Sequence, residues 1–597
     1  MAGLAAALGS AGLAWSGTGL AGPDVQASTP ATDEATIAHV LNRVTFGASA
    51  AGMARIRTVG LTNYLDEQLH PETRPDAPMA SRLAGLDTLA LSSREISERY
   101  YEPAMELRQT IRRAQADAAK AASPDVPSQD GSMAPVEKPG DEASMARPRE
   151  NALASLSPDE RQRVIAARRE AQRVMQQLGQ QKVLRAVYSE SQLQEVLVDF
   201  WFNHFNVFAG KGPVQTYLTE YERDAIRPHV LGRFRELLGA VAHSPAMLFY
   251  LDNWQSSDPD MSARASMTRA AGSGPRRGAA RGRLSNLSGR QRERLANLSD
   301  EERQRLAEQV RQRMPRGLNE NYARELLELH TLGVDAGYTQ QDIVEVAKAF
   351  TGWTIRGPRQ GGDFWFDERR HVQGEKHVLG ARIREGGERD GEAVLDLLAR
   401  HPATATFIAT KLARRFVADE PPAALVRRAA DTFRRTGGDL REVTRTIVTS
   451  PELLAPAARR AKVKSPFEFV ASALRAAQAE ITDATPLVRQ LKELGMPLYF
   501  AQPPTGYADR ADAWVNTGAL LARMNFAMAL VDNRLPGVRV DVASLTGAGS
   551  LEDVRARLVA TVLAGDASTS TRETLGKGAA ATQLAALTLG SPEFQRR

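Results

Sequence analysis

Residues 392–417, EAVLDLLARHPATATFIATKLARRFV, decide the fold class. Apolar side chains recur there at spacings of three and four, the period of a helix with one buried face. The same spacing runs through LREVTRTIVTSPELL from Leu440, SPFEFVASALRAAQAEI from Ser465 and WVNTGALLARMNFAMALV from Trp514, with Pro and Gly-Gly as punctuation. Strand-like text is scarce. DFWFD at 363–367 and HVLG at 377–380 are expected to pair as one small hairpin. The chain therefore reads as all-α, a multi-helical domain with at most one small β-hairpin.

Composition narrows the chemistry. The 597 residues are 42 % apolar and 25 % charged, near the globular average, which excludes wholesale disorder. The absence of Cys excludes disulfides, thiolate zinc sites, Cys-held iron–sulfur clusters and a cysteine nucleophile. No run approaches the ~18 apolar residues that a membrane span needs. The net charge of +6 is local in origin. Residues 261–316 hold 14 Arg and no Lys against four Glu and one Asp, a surplus of nine, so the remainder carries −3. That segment lacks the interleaved aromatics that stack bases and reads as a charged, solvated insertion, so a nucleic-acid partner is not expected.

The expected organisation is an N-terminal stretch, residues 1–32, followed by one helical domain over 33–597. Insertions at 114–156 and 256–316 interrupt it, both too rich in Pro, Ser, Gly or Arg to bury a core. Ser157 and Ser299 each head a charged segment with acids first and Arg downstream, the pattern of a capped helix. The first 32 residues contain no Lys or Arg. Their apolar content, with Val25-Gln26-Ala27 near the end, resembles an export signal without its positive start. A periplasmic or secreted location is the expectation.

Four dense blocks hold most of the aromatic and polar-functional residues. In EVLVDFWFNHFNVF from Glu195, Leu197, Trp201, His204 and Phe208 form one helical stripe, which buries His204 beside Asn203 and Asn206. Such a histidine is either an acid, base or ligand, or a satisfied core residue. The second block ends in Asp252-Asn253-Trp254, materials of a polar-ligand site or of an ordinary helix end. In the third, from Gly317 to Trp353, Asn321, Glu325 and Glu328 fall within about 60° on a helix of 100° per residue. Paired carboxylates beside apolar surface share a proton, bind a cation or pair with Arg. The fourth, FWFDERRHVQGEKHVLG from Phe364, offers His371, Lys376 and His377 on a loop or hairpin that could reach over a cleft. No phosphate-binding loop or Gly-x-Ser-x-Gly motif is present. The one Gly-x-Gly-x-x-Gly, at Gly17, Gly19 and Gly22, follows no strand. No cofactor is indicated.

Several of these segments resemble the bacterial family called domain of unknown function 1800. LNRVTFGAS near Leu41, YLDEQL at Tyr64, FWFNHFNVF at Phe200, NENYARELLELHTLGVDAGYT at Asn319 and FTGWT at Phe350 carry the resemblance. HPATATFIATKLARRFV at His401, KSPFEFVASALRA at Lys464 and PPTGYADRADAWVNTGALLARMNFA at Pro503 continue it. The resemblance implies a largely helical, often exported protein, commonly encoded beside sulfatase-like proteins of the domain of unknown function 1501 family. It brings no accepted activity and no catalytic residues.

Three functional readings follow. The first is an exported hydrolase or lyase acting on a polar polymer such as a glycan. Glu325 and Glu328 would then be acid and base, with buried His204 a further catalytic candidate and Asn203, Asn253 and Asn321 binding substrate. Trp254 and Trp353 would stack on sugars, while His371 and Lys376 reach in. An inverting glycosidase needs its carboxylates ~6.5–9.5 Å apart, which makes Asp252 the alternative second carboxylate. The second reading is a non-catalytic envelope protein that binds or chaperones the sulfatase-like neighbour. The third is a metal enzyme using His204, Glu325, Glu328 and His371.

Overall fold

Residues 392–417 fold as the helices Arg389–Arg400 and Pro402–Phe416, and His401 makes the break between them. Its extended backbone stops the first helix, and its Nδ1 accepts the Ala403 N–H at 3.2 Å to cap the second. Val394, Leu395 and Leu398 of one helix and Ile408, Leu412 and Phe416 of the other are fully buried. This structure is a computed structural model, and it describes residues 33–74, 76–107, 109, 111, 157–261, 317–334 and 336–597. The N-terminal stretch, the insertion at 114–156 and the helix expected after Ser299 lie outside the described residues.

Helices dominate what is described, and they surround one large apolar core, with a small separate cluster at Ile96, Tyr101 and Val174. Ser157 caps the 31-residue helix Pro158–Tyr188 through a reciprocal box with Glu160, as its sequence implies. Helix Pro466–Ala476 is buried on every face over its first ten residues, so its charged Glu468 and Arg475 must find partners inside the protein.

Among the described residues, strands occur as three antiparallel pairs: β1 (Trp353–Ile355) with β2 (Phe364–Phe366), β3 (Lys376–Val378) with β4 (Ala381–Ile383), and β5 (Glu480–Ile481) with β6 (Val538–Arg539). The two stretches expected to form one hairpin are both extended but do not pair with each other. Each closes on its own sequence neighbour. Leu379 and Gly380, at φ 50° and 76°, form the two-residue turn with both φ positive that joins β3 to β4.

The second insertion starts later than its composition suggests. Ser256, Ser257 and Asp258 are buried; the Ser257 N–H donates to Gly317 O at 3.2 Å and the Asp258 N–H to Arg370 O at 2.8 Å. The chain therefore leaves the body and returns to it at adjacent points, so the interruption leaves the core intact.

The helix Glu320–Glu325 continues into a wider turn, Leu326–Thr331, with i→i+5 bonding that includes Leu332 N–H to Leu327 O at 2.8 Å. The uniform 100° rotation assumed for Asn321, Glu325 and Glu328 thus ends at Glu325.

Candidate functional site

Four of the eight segments that carry the family resemblance, those beginning at Phe200, His401, Lys464 and Pro503, meet at one cleft. Helix Gln192–His204 supplies Asp199, Phe200, Phe202 and Asn203, and Asn206 follows it. Helix Pro402–Phe416 adds Arg415, the capped start of helix Pro466–Ala476 adds Ser465 and Glu468, and the loop at 501–514 closes the far side. The free space between them is about 70 Å³, room for a small group or a few waters.

Two asparagines fix that loop. Asn206 donates through Nδ2 to Ala501 O and Pro503 O, both at 2.9 Å, while Asn203 grips the backbone of Tyr507. Gly506 lies between them at φ 69°, and a Cβ there would sit 2.4 Å from Asn203 O and Oδ1. Farther along, Trp514 Nε1 donates to Ala508 O at 2.8 Å.

Charges in the walls are paired. Lys182 Nζ lies 2.9 Å from Asp199 Oδ1 and 3.9 Å from Glu222 Oε2, with the rings of Phe202, Phe467 and Tyr499 5.4–5.7 Å away. Burial works against the Lys182 ammonium, but Asp199 and Glu222 outweigh it and hold its pKa above the usual lysine value. Tyr499 OH donates to Glu222 Oε2 at 2.8 Å. This tyrosine has φ 66°, a left-handed conformation that costs a bulky residue about 1–2 kcal/mol. Opposite, Glu468 Oε1 takes Arg415 Nη1 at 2.5 Å and Arg597 Nε at 3.0 Å, and its Oε2 accepts the Ser465 N–H at 2.8 Å. Burial alone would raise the Glu468 pKa; the two guanidinium groups and the N–H bring it down to about 2. Lys462 bridges Asp419 at 2.6 Å and Asp509 at 2.8 Å. Each of these carboxylates faces a cation held in place by the surrounding elements.

Of the eleven residues singled out from sequence, Asn203 lines this cleft. His204, 2 % exposed, points the other way, into a cage of Trp201, Phe205, His330 and Phe407. Its Nε2 donates to His330 O at 3.1 Å, its Nδ1 is buried without a hydrogen-bond partner, and burial followed by Lys411 keeps it neutral well below the usual histidine range. His371 and Lys376 do not reach over a cleft. Both are sealed with Asp390, whose Oδ2 lies 3.0 Å from His371 Nε2 and 2.5 Å from Lys376 Nζ, while His371 Nδ1 donates to Thr351 O at 2.8 Å. Trp353 is fully buried among His243, Phe350 and Phe364, where no sugar can stack on it. Asn253 is buried too, its Nδ2 directed at Phe350 O and Trp353 O. Trp254 lies flat on Phe249 with centroids 5.2 Å apart. Asp252 forms a surface ion pair with Lys211 at 2.7 Å.

The third block is the most open. Asn321 is exposed and Glu325 and Glu328 half-buried, with Tyr338 OH donating to Glu328 Oε2 at 3.3 Å. Burial first, then the Glu328 charge, raises the Glu325 pKa. Among the described residues no three His, Asp or Glu side chains gather as a metal-ligand set, so His204, Glu325, Glu328 and His371 do not form one.

Sequence reasoning missed Lys182, Asp199, Glu222, Arg415, Glu468, Asp509 and Tyr499. The available signal was a charge inside an otherwise apolar helical face, as in FEFVASALRA and FIATKLARRFV.

The fold and cleft define a largely helical protein with a charge-paired cleft. The family described as protein of unknown function (DUF1800) matches residues 39–596, and the chain belongs to it. No curated protein and no solved structure matches the chain.

Proposed function

We propose that this chain is an envelope binding or assembly protein, periplasmic or secreted, that holds a partner protein rather than transforming a substrate. The observation that carries the reading is helix Thr517–Val531, TGALLARMNFAMALV, which begins just after Trp514 at the edge of the cleft. A helix apolar on all sides belongs in an interior. Here Phe526, Ala527, Leu530 and Val531 are buried, yet Leu520, Leu521 and Met528 face outward, with Leu521 61 % exposed and Val515 beside them. Such a patch next to a polar groove has the make-up of a protein–protein interface, an apolar centre with a charged rim. The partner named by this reading is a sulfatase-like protein of the domain of unknown function 1501 family.

The test is co-elution of the two purified proteins on size exclusion at about 10 µM, with Leu521→Asp and Met528→Asp as variants. A complex that forms with the unaltered chain and is lost in variants of unchanged melting temperature supports the reading. Separate elution of the unaltered proteins, or equal binding by the variants, sinks it.

A second reading, a hydrolase or lyase acting on a polar polymer, draws on the half-buried Glu325 with its raised pKa beside Glu328. Glycan turnover that disappears in Glu325→Gln would favour it over the first.

A further inference from the structure

Behind the charged cleft lies a larger cavity of about 830 Å³, within the roughly 300–1,000 Å³ typical of small-molecule sites. Leu498 and Tyr499 line both spaces. Its walls are mainly apolar, with Met175, Phe249, Val488 and Leu498 inside and Met105 and Phe500 among the partly exposed apolar residues that line it. The elements around it are closely packed. A Cβ on Gly179 of helix Pro158–Tyr188 would meet Val488 of helix Thr485–Glu493 at 3.1 Å, and one on Gly212 would lie 2.9 Å from Phe249.

Its charge is one-sided. Arg168, Arg359 and Lys492 line it and, among the described residues, no Asp or Glu does. Among the described residues none of the three has an ion-pair partner, and Arg168 Nε is buried without a hydrogen bond. They come from three separate elements: the long helix, the β1–β2 loop and the end of helix Thr485–Glu493. The loop carrying Arg359 is itself anchored, with Tyr217 OH donating to Pro358 O at 2.9 Å and Gly361 seated so closely on Ser93 that a Cβ would overlap its carbonyl. Cations without an ion pair beside an apolar cavity suit a ligand that carries both an anionic group and an apolar chain. Arg168 is half-buried and Arg359 and Lys492 are exposed, so an acidic group entering the cavity meets cations that no carboxylate among the described residues already holds.

We propose that this cavity binds a single-chain anionic amphiphile, its acyl chain against Met175, Phe249 and Val488 and its acidic head among Arg168, Arg359 and Lys492. A free fatty acid and an anionic lysophospholipid share that chemistry. The site is independent of the partner-binding helix, since its occupancy is read on the isolated chain.

The experiment uses the full chain and the fluorescent fatty acid cis-parinarate. Saturable binding is expected, displaced by hexadecanoate or by lysophosphatidylglycerol; whichever competes more tightly names the natural head group. Hexadecanoate methyl ester, with the same chain and no charge, should compete at least 10-fold more weakly. Arg359→Glu should weaken parinarate by a similar factor, and Ala171→Trp, which fills the cavity, should abolish binding. Arg168→Gln with Lys492→Gln provides a milder second variant, expected to weaken the acid and leave the ester unchanged. The proposal is overturned if the full chain shows no saturable binding, if acid and ester compete equally, or if the charge variants bind as the unaltered chain does.

Discussion

Asn203 and Tyr507 are joined as two neighbouring strands would be: the Asn203 Nδ2 donates to Tyr507 O at 2.8 Å, and the Tyr507 N–H donates to Asn203 Oδ1 at 2.7 Å. One side-chain amide thus satisfies both backbone groups of a residue 304 positions away. Removing it leaves a half-buried donor and acceptor unpaired. Asn203→Ala should cost about 1–3 kcal/mol in denaturant unfolding. Gly506→Ala should cost at least about 1 kcal/mol, because a side chain collides with Asn203 at a positive φ. In both variants the loop at 501–514 should become more protease-sensitive.

Glu468 is the single carboxylate on which Arg415 and Arg597 converge. Glu468→Gln keeps the shape and removes the charge, leaving buried Arg415 without its ion pair and Arg597 with only Asp509, 3.9 Å away. The expected loss is about 3–5 kcal/mol, measured by urea denaturation at pH 7. A change below 1 kcal/mol would show that water reaches the pair.

The pH dependence follows from three buried histidines. Burial is the main cause in each: it takes His39 down to about 4, His330 down to about 3, and His204 well below its usual value. Their unfolded pKa is ~6.5, so below that value the unfolded chain takes up protons that the folded chain refuses. Stability should therefore be fully present above about pH 6.5 and fall as the pH drops, with the contribution of His39 exhausted near pH 4 and that of His330 near pH 3. Melting temperatures from pH 8 to pH 4 check this. His330→Phe should flatten the slope.

Glu325 behaves in the opposite sense. Its pKa is raised by burial and by Glu328, so the folded state holds its proton more tightly than the unfolded chain does. Its contribution to stability is then full below the ordinary glutamate pKa of about 4.3 and is lost as the pH rises through the raised value. Because the side chain is half in water, Glu325→Gln should gain less than about 1 kcal/mol at pH 7 and nothing at pH 4. Calorimetry at the two pH values separates these outcomes.

Helix period and capping text were legible because both are local. The 392–417 stretch, the Ser157 box and the Ser465 box depend on residues within one or two turns of each other. The burial of His204 was equally legible from its stripe. Its direction was not, since a stripe shows that a side chain is covered without showing by what. Likewise the charged text of the fourth block looked like a surface loop. Lys376 is nevertheless buried, because Asp390, 14 residues later, supplies a counter-charge that spacing alone does not reveal. The cleft joins residues 182, 199, 415, 468 and 509, whose proximity is set by tertiary packing. Asn203, singled out from its block, lies in the wall of that cleft.

Tyr499 forms part of the wall of both the charge-paired cleft and the apolar cavity, and its hydroxyl is committed to Glu222. A partition that Tyr499 shares with Leu498 ties the histories of two compartments together. Any replacement that suits the polar side alters the lining of the apolar side in the same step, so selection at this position acts on both at once. A lineage that reshaped one compartment through residue 499 would have to compensate in the other, and the record of that compromise should be sought in correlated changes at Glu222 and Phe500.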